Sequence, residues 1–156
     1  MRIHLIAVGT RMPAWVTAAY HEYSKRLPRE CSLQLVEIPL SKRRKSLSPE
    51  QAADAEGQHM LASTPKGCTV IALDVLGKAW STQQLAGRLH DWLGSGRDVA
   101  LLVGGPDGLS SACLARADLK WSLSALTYPH SLVRVVLAEQ LYRAWTINSG
   151  HPYHRS

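Results

Sequence analysis

Apolar positions along this chain follow two rhythms that alternate from end to end. Short apolar runs mark strands, and apolar residues recurring every three or four positions mark helices. Arg2–Val8 reads as a strand. Pro13–Leu27 then sets Trp15, Val16, Ala19, Tyr20, Tyr23 and Leu27 on one face of a helix. Leu33–Ile38 reads as a second strand. Ser48, Pro49 and Gln51 form a capping box with proline at the first helical position, opening a helix to about Ser63. Cys68–Leu73 is a third strand, whose Val70-Ile71-Ala72-Leu73 core suits burial on both faces. Ser81 with Gln84 repeats the capping box and opens a helix to about Leu93. Val99–Val103 is a fourth strand, followed by a glycine-rich turn, a short helix near Ser111–Ala117 and a fifth strand around Lys120–Leu123. The last helix runs from about Ser131 to Asn148.

Strands alternating with helices predict an α/β domain: a mainly parallel sheet of five or six strands with helices on both faces. Connection rules alone predict an unknotted, doubly wound order. Ligands of such sheets bind at the carboxyl ends of the strands, so the loops after the third, fourth and fifth strands become candidates. The 156 residues, 46% of them hydrophobic, fit one domain spanning 1–156, without repeats or linkers. No apolar run is long enough to cross a membrane, and the N-terminus lacks the pattern of a signal peptide. The cytoplasm is the expected address. Cys31, Cys68 and Cys113 are scattered and odd in number, which supports neither a disulfide framework nor a metal site. The net charge of +6 favours an anionic partner such as nucleic acid. Part of it sits in Lys42-Arg43-Arg44-Lys45, readable as a solvated loop or as a phosphate clamp.

The fourth strand runs into Gly104-Gly105-Pro106-Asp107-Gly108. This is not GxGxxG, and no acidic ribose-binding residue follows about 20 positions on, so a dinucleotide site is disfavoured. A tight turn and a nucleoside pocket both remain open. The loop Leu123-Ser124-Ala125-Leu126-Thr127-Tyr128-Pro129-His130 carries small and apolar side chains around its peptide groups. It reads as an ordinary connection, or as a pocket able to enclose an adenine and hydrogen-bond its edge.

From Leu132 to Ile147, 11 of 16 residues are apolar and lie nearly all the way round the helix. Such a helix is buried on more than one side, and a two-fold homodimer supplies the second side. Glu139, Arg143 and Thr146 share one narrow polar strip, with Glu139 and Arg143 spaced i,i+4. A structural ion pair and a group facing a cleft or dimer seam are the two readings. The tail His151-Pro152-Tyr153-His154-Arg155-Ser156 combines an aromatic ring, imidazoles and a cation, in place of the usual frayed end.

Five segments together resemble one family: Ala7-Val8-Gly9-Thr10, Gly104 through Ser110, Trp121 through Thr127, Leu141-Tyr142-Arg143-Ala144-Trp145, and His151 through Arg155. In order and spacing they look like the bacterial 23S ribosomal RNA pseudouridine N3-methyltransferases of the SPOUT, or α/β-knot, superfamily, across essentially the whole chain. The resemblance implies a C-terminal trefoil knot, a homodimer with the active site between subunits, and S-adenosylmethionine as donor. It places cofactor contacts on Leu73, Gly104 with Gly105, and Leu123, Ser124, Ala125, Leu126, Thr127 and Tyr128, where Tyr128 stands in place of an aliphatic residue found in some relatives. The implied substrate is a pseudouridine in helix 69 of 23S rRNA on the assembled 70S ribosome.

A sulfonium donor already carries an electrophilic methyl group, so no metal is expected. The remaining tasks are alignment and removal of the N3 proton. His154 is the first candidate base and Glu139 the second; Arg143 would stabilise charge on the adjacent carbonyls, and Tyr153 would stack on the base. Arg155, with Lys42, Arg43 and Arg44, would bind phosphate. Three rivals remain: a knotted methyltransferase for another RNA, a non-catalytic ribosome-associated factor, and a nucleotide-dependent oxidoreductase already weakened by the missing GxGxxG.

Overall fold

A computed structural model describes residues 1–41 and 46–155. Five strands form one parallel sheet: β1 (Arg2–Val8), β2 (Ser32–Ile38), β3 (Thr69–Ala79), β4 (Val99–Val103) and β5 (Leu119–Ser122), in the order β2-β1-β4-β3-β5. Because β1 lies inside the sheet, it pairs on both sides, Val8 with Ile38 of β2 and Ala7 with Val103 of β4. The helices are α1 (Ala14–Ser24), α2 (Pro49–Ala62), α3 (Thr82–Ser95), α4 (Ser111–Arg116) and α5 (His130–Ser149).

The pleat sorts the strand residues into two cores. Ile3, Leu5, Ile71, Leu101 and Val103 face α1, α3 and α5. Ile6, Val8, Val70, Ala100 and Leu102 face α2 and α4, meeting Met60 and Cys113. β1 and β4 read as continuous apolar runs because neither face meets water.

Both capping boxes form. Ser48 Oγ accepts from Gln51 N at 3.1 Å and Gln51 Oε1 from Ser48 N at 2.9 Å; Ser81 and Gln84 repeat this at 3.1 and 2.8 Å. Three boundaries differ from the sequence reading. α1 stops at Ser24, and Arg26 and Leu27 close a turn ahead of Pro28, which disfavours helical geometry just before it. α5 begins at His130 and ends in a left-handed Gly150, φ 73°. β3 continues to Ala79 because it leaves β4 after Ala72 and carries on beside β5, with a register shift between Leu73 and Lys78. Gly77 allows that close approach: a Cβ there would lie 2.6 Å from the Lys120 carbonyl carbon.

At the amino end of the sheet Asp98 accepts from Arg2 N at 3.0 Å and pairs with His4 Nε2 at 3.0 Å. The His4 hydrogen bond, then that from Arg2 N, hold the Asp98 carboxyl below its ordinary 3.8. A depressed carboxylate stabilises the fold fully above its unfolded value, and that contribution disappears as pH falls through the folded value. Asp98→Asn is therefore expected to lower the urea midpoint at pH 7, with the gap to wild type closing as pH falls through and below 3.8.

Candidate active site

Parallel strands deliver their carboxyl ends to one edge, and there Leu73–Val75 of β3, at its register shift, and the loops after β4 and β5 meet the first turn of α5 around a cavity of about 340 Å³. The turn after β4 closes on itself. Gly108 N donates to Gly105 O at 3.0 Å, and a Cβ on Gly104 would lie 2.5 Å from the Gly108 carbonyl carbon. Gly104 is thus required by packing within the turn, and Gly108, at φ +77°, by the turn's handedness. After β5 the chain bends through Ser122 Oγ donating to Ser124 O at 3.2 Å, and Leu126 N donating to Ser124 Oγ at 2.9 Å. Such a Ser-centred turn replaces helix or strand pairing with side-chain-to-backbone bonds.

Of the residues assigned to cofactor binding, Leu73, Gly104, Gly105, Leu123, Ser124, Leu126, Thr127 and Tyr128 line this cavity, whereas Ala125 is exposed and outside the lining. Sequence reasoning missed Asp74, Val75, Val103, Trp121, Ser122 and Val133, whereas His130 belongs to the loop read as a possible pocket. Val103, Trp121 and Ser122 lie within or at the ends of the strands, just before the loops that the strand-end rule singles out. Val133 comes from the first turn of α5, and no local signal marks it as a pocket residue.

A second cluster forms at the other end of α5. Glu139 Oε1 accepts from Arg143 Nε at 2.9 Å, Arg143 Nη2 at 2.6 Å and the Tyr153 hydroxyl at 3.0 Å, while Oε2 accepts from Gln140 at 2.9 Å. The carboxylate is an anchor for its neighbours. Burial first, and then the Glu139 contact, push the Tyr153 phenol up to about 12, so it remains a protonated donor at neutral pH. The Tyr153 ring packs 4.7 Å from Tyr142 and 5.0 Å from the Arg143 guanidinium. His151 N donates to Thr146 O at 3.0 Å and starts the reversal that returns the tail along α5.

His154 and Arg155, with Arg143, Thr82 and Gln140, line a cleft of about 290 Å³ between α3 and α5. The His154 Nδ1 is buried and has no hydrogen-bond partner among the described residues. Two arginines and an imidazole make this cleft suited to an anion. At about 1.5 Å per residue, Arg143 lies about 20 Å along the helix from His130. The structure therefore unites the tail residues with one another, and the pocket residues with one another, but keeps the two groups apart within one chain. Lys42, Arg43, Arg44 and Lys45, the candidate phosphate clamp, lie outside the described residues.

Among the described residues no group of three or more His, Cys, Asp or Glu is arranged to hold a metal, and no helix is long and apolar enough to cross a membrane.

A parallel sheet with a cavity at its carboxyl edge, walled by β3, the loops after β4 and β5 and the final helix, is the arrangement of a ligand-binding α/β fold. The family described as "Predicted SPOUT methyltransferase" matches residues 1–154, and the chain belongs to it. It is 64% identical over 155 residues to "Ribosomal RNA large subunit methyltransferase H" of Thioalkalivibrio sulfidiphilus, covering 99% of each chain. It is 60% identical over 156 residues to the protein of that description from Alkalilimnicola ehrlichii, covering all of both. Among solved structures it resembles a probable methyltransferase from Bordetella pertussis in fold, with TM-score 0.59, 16% identity and coverage of 92% of this chain and 93% of that one.

Glu139→Ala removes the acceptor shared by Arg143 and Tyr153. The expected outcome is a released tail, seen as faster carboxypeptidase trimming than in wild type while the far-UV circular dichroism of the folded core is retained.

Proposed function

We propose that this chain is a homodimeric, S-adenosylmethionine-dependent methyltransferase acting on N3 of a pseudouridine in helix 69 of 23S rRNA, on the assembled 70S ribosome. The observation that carries the reading is full-length similarity to large-subunit ribosomal RNA methyltransferases, combined with a pocket where this fold binds its ligand. The cavity suits the donor: its size falls in the range of small-molecule sites, Leu73, Val103 and Leu123 offer apolar walls for an adenine, and Asp74 brings a carboxylate to the wall. Bound there, the donor supplies an electrophilic methyl on its sulfonium. The trefoil knot belongs to this proposal, as the threading expected of the family.

The dimer follows from distance. Methyl transfer needs reacting atoms within about 3–3.5 Å, and the tail cluster lies far along α5 from the pocket of its own chain. A partner subunit bringing its tail to this pocket resolves the separation. Leu132, Val135 and Val136 of α5 are half-buried and belong to neither core, and Val75, Leu76 and Leu126 are exposed beside the cavity mouth; these would form the seam.

In the assembled site His154, whose Nδ1 has no partner among the described residues, would take the N3 proton of a pseudouridine aligned on the donor's methyl group. Arg143 stabilises charge growing on the neighbouring carbonyls. Glu139, already holding four donors, orients Arg143 and Tyr153, and Tyr153 holds the tail in place. Arg155, with Lys42, Arg43 and Arg44, binds phosphate.

The direct test uses methyl-labelled S-adenosylmethionine and 70S ribosomes lacking the modification, with the labelled nucleoside mapped by mass spectrometry. Label at N3 of the helix 69 pseudouridine is expected. Donor binding without ribosome labelling would point to another RNA, and no donor binding to a non-catalytic factor.

The shared site has its own test. Ser124→Trp, which fills the pocket, and His154→Ala are each expected to be inactive alone. After subunit exchange in an equal mixture, about a quarter of the sites would pair an intact pocket with an intact tail and recover activity. No recovery in verified mixed dimers would place both halves of the site in one subunit.

A further inference from the structure

We infer that Arg134 is a positioning residue for the donor pocket, clamping the α5 wall of the cavity to the carboxyl ends of β1 and β2; this rests on reading the cavity as the S-adenosylmethionine site. Arg134 is only 2% exposed, one of the largest fully buried side chains in the molecule. Its Nη1 meets Glu37 Oε2 of β2 at 2.7 Å. Its Nη2 donates to Gly9 O at 2.6 Å, with a longer contact to Val8 O at 3.4 Å. The planar guanidinium thus reaches two adjacent strands from one helix.

What those contacts hold is the pocket. Val133, the preceding residue, and His130, one turn earlier, both line the cavity, so fixing Arg134 within a rigid helix fixes them too. Across the sheet, Ala7 of β1 pairs with Val103, which lines the opposite wall. The clamp therefore sets the distance between one wall and the strand frame carrying the other. Gly9 is part of the device. Its φ of +116° turns the chain after β1, and a Cβ there would lie 2.5 Å from Met12 Cε and 3.5 Å from Arg134 Nη2. This gives Ala7-Val8-Gly9-Thr10, which contributes no lining residue, a physical role.

Stability alone does not call for such a group. A buried ion pair gains little over apolar side chains of similar volume, because desolvation offsets much of its attraction. An apolar replacement would fill the space but could not specify direction through hydrogen bonds to two strands.

The test measures S-adenosylmethionine binding by calorimetry on the full-length protein, for wild type, Arg134→Met, Arg134→Lys and Glu37→Gln, with thermal midpoints recorded alongside. Arg134→Met is expected to weaken binding by about tenfold or more, as small misplacements in a pocket do. Arg134→Lys should recover part of that loss, and Glu37→Gln should show a smaller one. Steady-state assays should show KM for the donor rising while KM for the RNA stays unchanged, a split that general destabilisation would not produce. Should Arg134→Met fail to fold, Arg134→Lys and Glu37→Gln decide: folded variants binding the donor as wild type does would overturn the inference. Wild-type protein that binds no donor would overturn the reading of the cavity, and the inference with it.

Discussion

The burial of α5 is the constraint from which the rest of the molecule follows. This 20-residue helix lies against α1 and α3 over one face of the sheet, with Leu137, Ala138, Leu141 and Ala144 fully buried beneath it. A helix seated that firmly cannot shift at one end without disturbing the other. Its first turn walls the cavity, and its middle carries the acidic anchor for the tail. A single packing event thus places one wall of the cavity and the anchor of the tail.

Polar groups on this helix are kept where they have partners. Arg134 is buried against a carboxylate and two strand carbonyls; Glu139 collects donors from three side chains. Isolated in an apolar interior, either charge would be costly; the Arg134 Nη atoms are met by groups distant in sequence, and Glu139 by neighbours on its own helix and by Tyr153 of the tail. The hydrogen bonds therefore act as registration marks. They tie the first half of α5 to β1 and β2, and its middle to the chain's final residues.

Much of the fold was legible because its signals are local. Two capping boxes, the apolar runs of β1 and β4 and the alternation of rhythms follow from short-range chemistry, and each reappears with boundaries shifted by a few residues. The extension of β3 was not legible, since Asp74 through Lys78 carry no strand pattern of their own and pairing with β5 resumes only at Lys78, after a register shift. The pocket was found through the strand-end rule and the family resemblance, which together named Leu73, Gly104 and the loop from Leu123. Val133 escaped because it looks like an ordinary helix residue until α5 is placed in space. Gly104 lines the cavity, and a Cβ on it would also meet Gly108 and Leu109, a packing reason the sequence does not display. Tyr153 was read as a stacking ring; in the folded chain the ring also packs against Tyr142 and Arg143, and its hydroxyl donates to Glu139.

The separation of pocket and tail along α5 has a consequence for how such a protein can change over time. Substitutions in His151 through Arg155 or along the cleft beside α3 touch none of the residues lining the larger cavity. Substitutions in the strand-end loops likewise leave the Glu139 anchor untouched. The two groups are therefore modular: under the proposed function, selection could retune which nucleotide the tail addresses while the pocket is inherited intact, provided the helix joining them keeps its length.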